Sequence, residues 1–481
     1  MQNLKSSALF TDFYELTMAQ GFWLNKMNTP SVFDVFFRRN PFDGGFAVFA
    51  GIETFIDTLL EFHFSEEDIA YLDSLNRFDK GFLDYLRTFK FTGDVYAMEE
   101  GTIIFPNEPL VRIHASLIEA QIIEGLVLNQ INFQSLIATK TIRMVMASKN
   151  SHIMEFGLRR AQGFDGAMSA TRASFIGGAL STSNTLAGKL FGIPAIGTMA
   201  HSWIMSFPTE LDAFEAYAKM YPESTTFLLD THNTLKSGIK NAIIVGKKLT
   251  EQGYNFGVRL DSGDMQYLTT EVRKELDKAG LFNAKISVSN DLTEEIISTL
   301  VSQNAPIDSW GVGTNLVTGG KDSSFTGVYK LAARKNAEND DFIPTMKLSD
   351  NQSKTTNPGI KNVWRLYDED GMFKADILAL ENEVIDCNSE RTFYHPSTDY
   401  RQFKYTPSKV ECLLVKHVQN GARTRSRLPE CEQLQVSRDR LQKQLLCLDA
   451  SFTRILNPHI YKVSMTEALK DLKLSLIVKE L

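Results

Sequence analysis

The sequence predicts an α/β protein, an irregular (β/α) barrel of about seven to eight strands with an additional sandwich-like α/β domain built from the N-terminal and post-barrel segments. The first observation behind this is that five segments each end an apolar run in polar chemistry: AIGTMAHSW at 195–203, FLLDTHNT at 227–234, FGVRLDSGD at 256–264, KISVSNDL at 285–292 and WGVGTNLVTGG at 310–320. The second is their spacing. The steps from His201 to Asp230 and from Asp230 to Arg259 are both 29 residues, and the next, to Ser289, is 30, the length of one strand–helix unit. The third is that strong helical patterns lie between several of them: ELDAFEAYAKM, TLKSGIKNAIIVGKKL, EVRKELDKAG and LTEEIISTLVSQ. Polar residues one unit apart converge on the carboxyl-end face of a parallel βα array, where barrel enzymes form their active sites.

Four segments divide the chain. Residues 1–130 mix helix and strand patterns without the βα rhythm and read as an N-terminal α/β domain. There FTDFYELTMAQGFW sets Phe10, Tyr14, Met18 and Phe22 four residues apart on one helical stripe, and SVFDVFFRRNPF alternates like a strand before Pro41. A second strand group at 94–98 and 103–113 is broken by Pro106 and Pro109. Residues 131–335 carry the barrel, with SHIMEF, ALSTSN, AIGTM, TFLLD, FGVRLD, KISVS and SWGVG as strand candidates and YKLAA at 329–333 as the last. Residues 336–400 hold a loop and the return to the N-terminal domain; KNAENDDFIPTMKLSDNQSKTTNPGIK at 335–361 is too long and polar for a simple connector. In the C-terminal segment, 401–481, ECLLVKHVQNGARTRS predicts a hairpin turning at Asn420-Gly421, and SRDRLQKQLLCLD and SMTEALKDLKLSLI predict helices.

Composition narrows the partners. The 481 residues are 43% hydrophobic and 23% charged, with no low-complexity tract, and no apolar run approaches a spanning helix. The N-terminus, MQNLKSSALFTDFYELT, lacks a signal-peptide hydrophobic region, so a cytoplasmic protein without membrane partners is expected. A net charge of −7 argues against a sequence-independent grip on nucleic acid, which rests on many basic contacts to phosphate. An anionic ligand must therefore meet a local cluster of cations. Cys387, Cys412, Cys431 and Cys447 are widely spaced without a CxxC and read as reduced thiols rather than zinc ligands.

The strand-end residues carry the chemistry. His201 is read as nucleophile, base, ligand or phosphate acceptor rather than a hydrogen-bonded core histidine, because the other four segments point to the same face. Asp230 is its expected orienting carboxylate. In GVRLDSGD, Arg259 and Asp261 share one face of a strand, so a guanidinium able to fork onto a carboxylate or phosphate enters beside a carboxylate. Asp261 or Asp264 could take ribose hydroxyls or a metal through water, and the bland alternative is a structural Arg–Asp pair. Gly313, Thr314 and Thr318 in WGVGTNLVTGG suit a phosphate cradle at a late barrel strand. Arg38 and Arg39 after the FFRR strand, Arg172 in SATRASFIGG, and Lys347, Lys354 and Lys361 of the long loop are further cations, the lysines spaced to close over a phosphorylated ligand.

Taken together, TDFYELTMAQ, FFRRNPF, SATRASFIGGALSTSN, GTMAHSW, LLDT, GVRLDSGD, VSNDL, GVGTNLVTG and MKLSDNQSKTTNPGIK resemble the motifs of the nicotinate phosphoribosyltransferases, in order and over nearly the whole chain. That resemblance implies transfer of a phosphoribosyl group from phosphoribosyl pyrophosphate (PRPP) to nicotinate in NAD biosynthesis, coupled to ATP hydrolysis with Mg²⁺. It implies that ATP phosphorylates His201, that Asp230 orients it, that Thr198 and Arg259 contact nicotinate with Arg259 as carboxylate clamp, and that Tyr14 stacks on the ring from the other subunit of a homodimer. By the same resemblance Arg172, Thr314, Gly313, Ser289 and Asn290 belong to substrate binding, Arg38, Lys347 and Lys354 to the phosphate loop, and Asp261 to the ribose and, indirectly, Mg²⁺. His232 departs from the family pattern, which often has an aromatic after LLDT, and is the second candidate for phosphorylation. The nicotinamide-using relatives carry an aspartate where this chain has Asn184, which favours the acid here. Two further readings compete: a quinolinate-using relative, which lacks the phosphorylated histidine and is typically shorter, and a non-catalytic barrel that binds sugar phosphates.

Overall fold

The computed structural model describes residues 6–149, 151–349, 354–396, 398 and 400–480. The chain forms two compact units: Met1–Leu136 with Ser324–Pro429 and Gln435–Leu481, and Ile137–Ser323 with Glu430–Leu434.

The first unit contains an antiparallel sheet whose strands run in the order Ile343–Pro344, Gly327–Arg334, Pro30–Phe37, Val111–Ser116, Asp94–Ala97, Val415–Gln419 and Ala422–Arg423. Pro30–Phe37 is central, and residues 31–35 are all buried, so the expected in–out alternation gives way to a strand covered on both faces. Asp34 is tolerated there because Lys361 Nζ lies 2.8 Å from its Oδ2 with both side chains almost fully enclosed. Lys361 is therefore a core cation, not one that lines the long loop. YKLAA also departs from expectation: it lies in Gly327–Arg334, antiparallel to Pro30–Phe37, with Tyr329 stacked on Phe33 at 4.7 Å and its hydroxyl donating to Ala120 O at 2.9 Å. It is not a barrel strand. The turn at Asn420-Gly421 forms as predicted, both residues at positive φ, 49° and 71°.

A second sheet of this unit runs in the order Gln402–Tyr405, Arg391–Tyr394, Val463–Met465, Phe373–Leu380, Lys361–Tyr367 and Lys409–Cys412. Leu366, Ala375, Ile377, Ala379, Ile385 and Phe393 form its core. The predicted C-terminal helices span Glu430–Leu446 and Glu467–Glu480. The N-terminal helix Phe13–Leu24 begins after Phe10 and buries Glu15, Leu16 and Ala19. Of the aromatic stripe, only Phe22 packs on the core, whereas Phe10, Tyr14 and Met18 are exposed. The four cysteines are free. No described helix is long and apolar enough to cross a membrane.

The second unit is a six-stranded parallel sheet in the order Ser181–Thr182, His152–Glu155, Ser309–Val312, Lys285–Asn290, Gly257–Leu260 and Thr226–Leu228. Helices Glu210–Met220, Ile239–Glu251, Met265–Lys278 and Glu294–Ser302 occupy the predicted patterns between strands. The expected count of seven to eight strands thus falls to six. AIGTM contributes only an isolated bridge, Ala195 to Thr182, because Pro194 lacks an amide donor and Gly197 weakens an extended run.

In this unit Lys140 Nζ and Arg143 Nε reach the two oxygens of Glu294 at 2.6 and 3.0 Å, with all three side chains buried. Burial opposes ionisation of Glu294, yet the two cations outweigh it and hold its carboxyl below the ordinary glutamate value. Removing this carboxylate leaves two cations buried without it, so Glu294→Ala is expected to cost about 3–5 kcal/mol at neutral pH. A depressed folded pKa contributes stability that is present above the unfolded value and lost as pH falls through the folded one. Denaturant unfolding of wild type and variant should therefore give a difference that is large at pH 7 and shrinks in acid; equal midpoints at pH 7 would refute it.

Candidate active site

Parallel strands deliver their carboxyl ends to one edge of the second unit, and there lies a cavity of about 320 Å³ lined wholly by residues of that unit. Arg259 and Asp261 enter it from one strand, Ser289 and Asn290 from the next, and Gly311, Gly313 and Thr314 from the third. Gly197, Thr198, Met199, Ala200 and His201 form another wall, and Phe156, Arg159 and Arg160 follow the His152–Glu155 strand. Gly311 is required by close approach: a Cβ there would stand 2.6 Å from the Phe156 ring. Asn290 is held at φ 148°, an uncommon backbone for a residue with a side chain and one often concentrated at functional sites.

Hydrogen bonds fix the polar groups. His201 begins the short helix His201–Met205; its Nδ1 lies 3.1 Å from Thr231 Oγ1 and its Nε2 3.8 Å from Asp261 Oδ2. Asp261 in turn accepts from Ser289 Oγ, and Arg259 Nη1 donates to Thr198 Oγ1. Arg259 Nε is buried without an acceptor. Burial lowers the guanidinium from its ordinary value, Asp261 and Asp230 oppose that, and Arg159 adds to it. An arginine so placed still carries its charge, and an unmet buried donor on it is suited to an incoming anion.

Comparison with known proteins bears on what this cavity serves. The chain matches, in succession, the family models for the nicotinate phosphoribosyltransferase N-terminal domain over residues 9–132, the nicotinate phosphoribosyltransferase family over 151–369 and the nicotinate phosphoribosyltransferase C-terminal domain over 360–473. It is 39% identical to nicotinate phosphoribosyltransferase of Bacillus subtilis over 96% of this chain and 93% of that protein. The chain belongs to the nicotinate phosphoribosyltransferase family. The human nicotinate phosphoribosyltransferase is 33% identical over 97% of this chain and 96% of its own length. The crystal structure of human nicotinic acid phosphoribosyltransferase superposes with a TM-score of 0.85 at 30% identity, covering 97% of this chain and 99% of that one.

Within this family member the residues expected from sequence separate into three groups. Thr198, His201, Arg259, Asp261, Ser289, Asn290, Gly313 and Thr314 all line the cavity. Asp230 does not touch the imidazole: its Oδ2 accepts from Asp261 N at 2.9 Å and Ser262 Oγ at 2.6 Å, so the carboxylate beside His201 is Asp261. Asn184 is buried and caps the helix Thr185–Phe191, accepting from Ala187 N at 3.2 Å and donating to Thr171 Oγ1 at 3.3 Å. Arg172 is buried and paired with Glu430 at 2.7 Å, Asp264 caps Met265–Lys278, and Thr318 donates to Thr314 O. None of these lines the cavity, nor does His232, which is exposed.

Tyr14, Arg38, Lys347 and Lys354 belong to the first unit. Tyr14 is 51% exposed, its hydroxyl pushed up in pKa first by its hydrogen bond to Glu15. Lys347 and Lys354 are exposed, and residues 350–353 of the long loop lie outside those described. Sequence reasoning missed Phe156, Arg159 and Arg160, although FGLRR follows SHIME at the end of a strand, the signal that picked out the other walls.

Proposed function

We propose that this chain joins nicotinate to PRPP, giving nicotinate mononucleotide and pyrophosphate in NAD biosynthesis, with ATP hydrolysis coupled through phosphorylation of His201. The observation that carries this reading is the convergence in one cavity of Arg259 with an unmet buried Nε, His201, Asp261 and the paired cations Arg159 and Arg160. Nicotinate and PRPP are both anions, and each needs a cation that is not already neutralised. Arg259 with Thr198 is assigned to the nicotinate carboxylate and the Phe156 ring to the pyridine. Arg159, Arg160 and the backbone around Gly313 and Thr314 are assigned to PRPP phosphates, and Ser289, Asn290 and Asp261 to its ribose.

Transfer passes through an oxocarbenium-like state at the anomeric carbon, so the residues need only hold the ribose, stabilise departing pyrophosphate and aim the ring nitrogen. No protein nucleophile on the sugar is required. Among the described residues no group of three or more His, Cys, Asp or Glu is arranged to hold an ion by itself. The oxygen donors of Asp261 and Asp291 nevertheless fit Mg²⁺, which binds through one or two carboxylates together with substrate phosphates and waters. When bound it would neutralise charge on the leaving pyrophosphate. A cytoplasmic location is part of this reading; recovery of the activity in a membrane fraction would overturn it.

His201 Nδ1 faces Thr231 Oγ1 and Nε2 faces Asp261; we assign the phosphoryl group to Nε2 in the tautomer that carries its proton on Nδ1. ATP should leave an acid-labile, base-stable phosphate on His201. His201→Ala should lose ATP hydrolysis yet keep slow ATP-independent transfer, and phosphate mapped to His232 instead would overturn the assignment.

Selection of acid over amide is assigned to Arg259, since Asn184 is engaged in a helix cap. Charge-assisted bonds from a guanidinium are worth about 1.5–3 kcal/mol each, and an amide cannot replace both. Arg259→Lys keeps the charge but loses the fork, so kcat/KM with nicotinate should fall on the order of tenfold or more while that with nicotinamide changes less. An unchanged ratio between the two would sink the clamp.

The exposed Tyr14 and its neighbours Phe10, Phe13 and Met18 form an apolar stripe suited to a second subunit, supporting a homodimer with Tyr14 entering the partner's cavity. Mixing inactive Tyr14→Ala and Arg259→Ala protomers should restore part of the activity in heterodimers. Failure to do so in demonstrated heterodimers would exclude sharing.

A further inference from the structure

The first unit holds a cavity about twice as large, near 700 Å³, for which the transfer reaction supplies no role. Its walls come from the Gln402–Tyr405 and Val463–Met465 strands and from the segment 451–462. The volume falls in the range of small-molecule sites, about 300–1,000 Å³. What distinguishes it is charge. Arg401, Arg454, Lys462, His395 and His459 face it, and no carboxylate stands among its described lining residues. In a chain with 58 acidic and 51 basic residues, a wall of one sign runs against the overall balance.

The two guanidiniums are also open. Neither Arg401 nor Arg454 is hydrogen-bonded or ion-paired through its side chain to a described residue, and both are exposed. Hydrogen bonds from Ser451 first, then Arg454 and His459, hold the nearby Asp449 carboxyl below its ordinary value, and its Oδ1 already accepts from Ser451 N at 2.8 Å. His395 reports the same field: burial first, then the positive charges of Arg401 and Lys473, hold its pKa below the ordinary histidine value. Flat surfaces stand beside these cations. Lys462 Nζ lies 5.3 Å from the Phe403 ring centre, and the His459 ring stacks on Phe452 at 5.3 Å and 9°. Cations for phosphoryl oxygens next to planar faces for a base are the two halves of nucleotide recognition.

We propose that this cavity binds a nucleoside phosphate, with Arg401 and Arg454 taking the phosphoryl oxygens and the Phe403 and His459 rings lying against the base. This assignment is independent of the transfer reaction, since its residues belong to the first unit and the catalytic cavity is lined by the second.

Hydrogen exchange of the full-length protein, read at residues 400–403 and 451–464, localises binding and separates it from the catalytic cavity. The probes are ADP, pyrophosphate and adenosine. ADP should slow exchange in these segments, pyrophosphate should do so more weakly, and adenosine should have no effect at the same concentration. In Arg401→Ala/Arg454→Ala, whose side chains are exposed and whose loss spares the core, half-saturation by ADP should rise about 100-fold. Arg259→Ala should leave this protection intact. Absence of protection at millimolar ADP, protection unchanged in the double variant, or protection by adenosine equal to that by ADP would each overturn the proposal. Pyrophosphate as effective as ADP would overturn its nucleoside part.

Discussion

Carboxylates at the ends of parallel strands hold the catalytic edge in register. Glu155, fully buried, accepts from Gly157 N, from Thr171 Oγ1 at 3.0 Å and from Thr182 Oγ1 at 2.6 Å, tying its strand end to a helix and to the adjacent strand. Asp230 links the end of Thr226–Leu228 to the turn after Gly257–Leu260 through Asp261 N and Ser262 Oγ. Asp261 then reaches Ser289 on the next strand. The Glu155–Thr182 link reinforces the last rung of its ladder, whereas the Asp230 links hold residues beyond the paired strands. Without these acceptors the side chains facing the cavity would ride on unanchored loops, and catalytic alignment tolerates little displacement.

The same network sets the electrostatics of the cavity. Asp230 and Asp261 favour the charged form of Arg259, while burial and Arg159 work against it. The result is a cation held by protein carboxylates at a distance, with an Nε that no described acceptor meets. In a chain of net charge −7, positive charge is concentrated at this cavity, which Arg159, Arg160 and Arg259 all line.

Much of the cavity was legible because its logic is periodic. Strand ends one βα unit apart must meet at one edge, so spacing placed His201, Asp230, Arg259 and Ser289 together, and of these His201, Arg259 and Ser289 line the cavity. Partner choice was not legible. Asp230 and Asp261 stand at the ends of adjacent strands, and periodicity puts both near His201 without saying which carboxylate faces the ring. Arg172 and Asn184 sit within a recognisable motif, yet burial assigned them to an ion pair and a helix cap. Arg159 and Arg160 lie in the 3-10 turn Leu158–Arg160 after the His152–Glu155 strand, where the strand-end signal is present but the 29- and 30-residue series does not reach.

Hydrophobic period and turn chemistry in the sequence by themselves determined the parallel βα unit, its helices and the Asn420-Gly421 hairpin, while the order of its motifs carried the resemblance to the family. These are local or near-local signals, since a strand, a helix or a type of turn is specified by residues within one element or its flanks. Tertiary structure alone decided that YKLAA joins an antiparallel sheet of the first unit, that six strands rather than seven or eight make the parallel sheet, and that Lys361 neutralises Asp34 in a core. Sheet membership and ion pairing depend on which distant surface an element is packed against. An apolar strand of suitable length satisfies either sheet, and only the competition for burial among residues far apart in sequence selects between them.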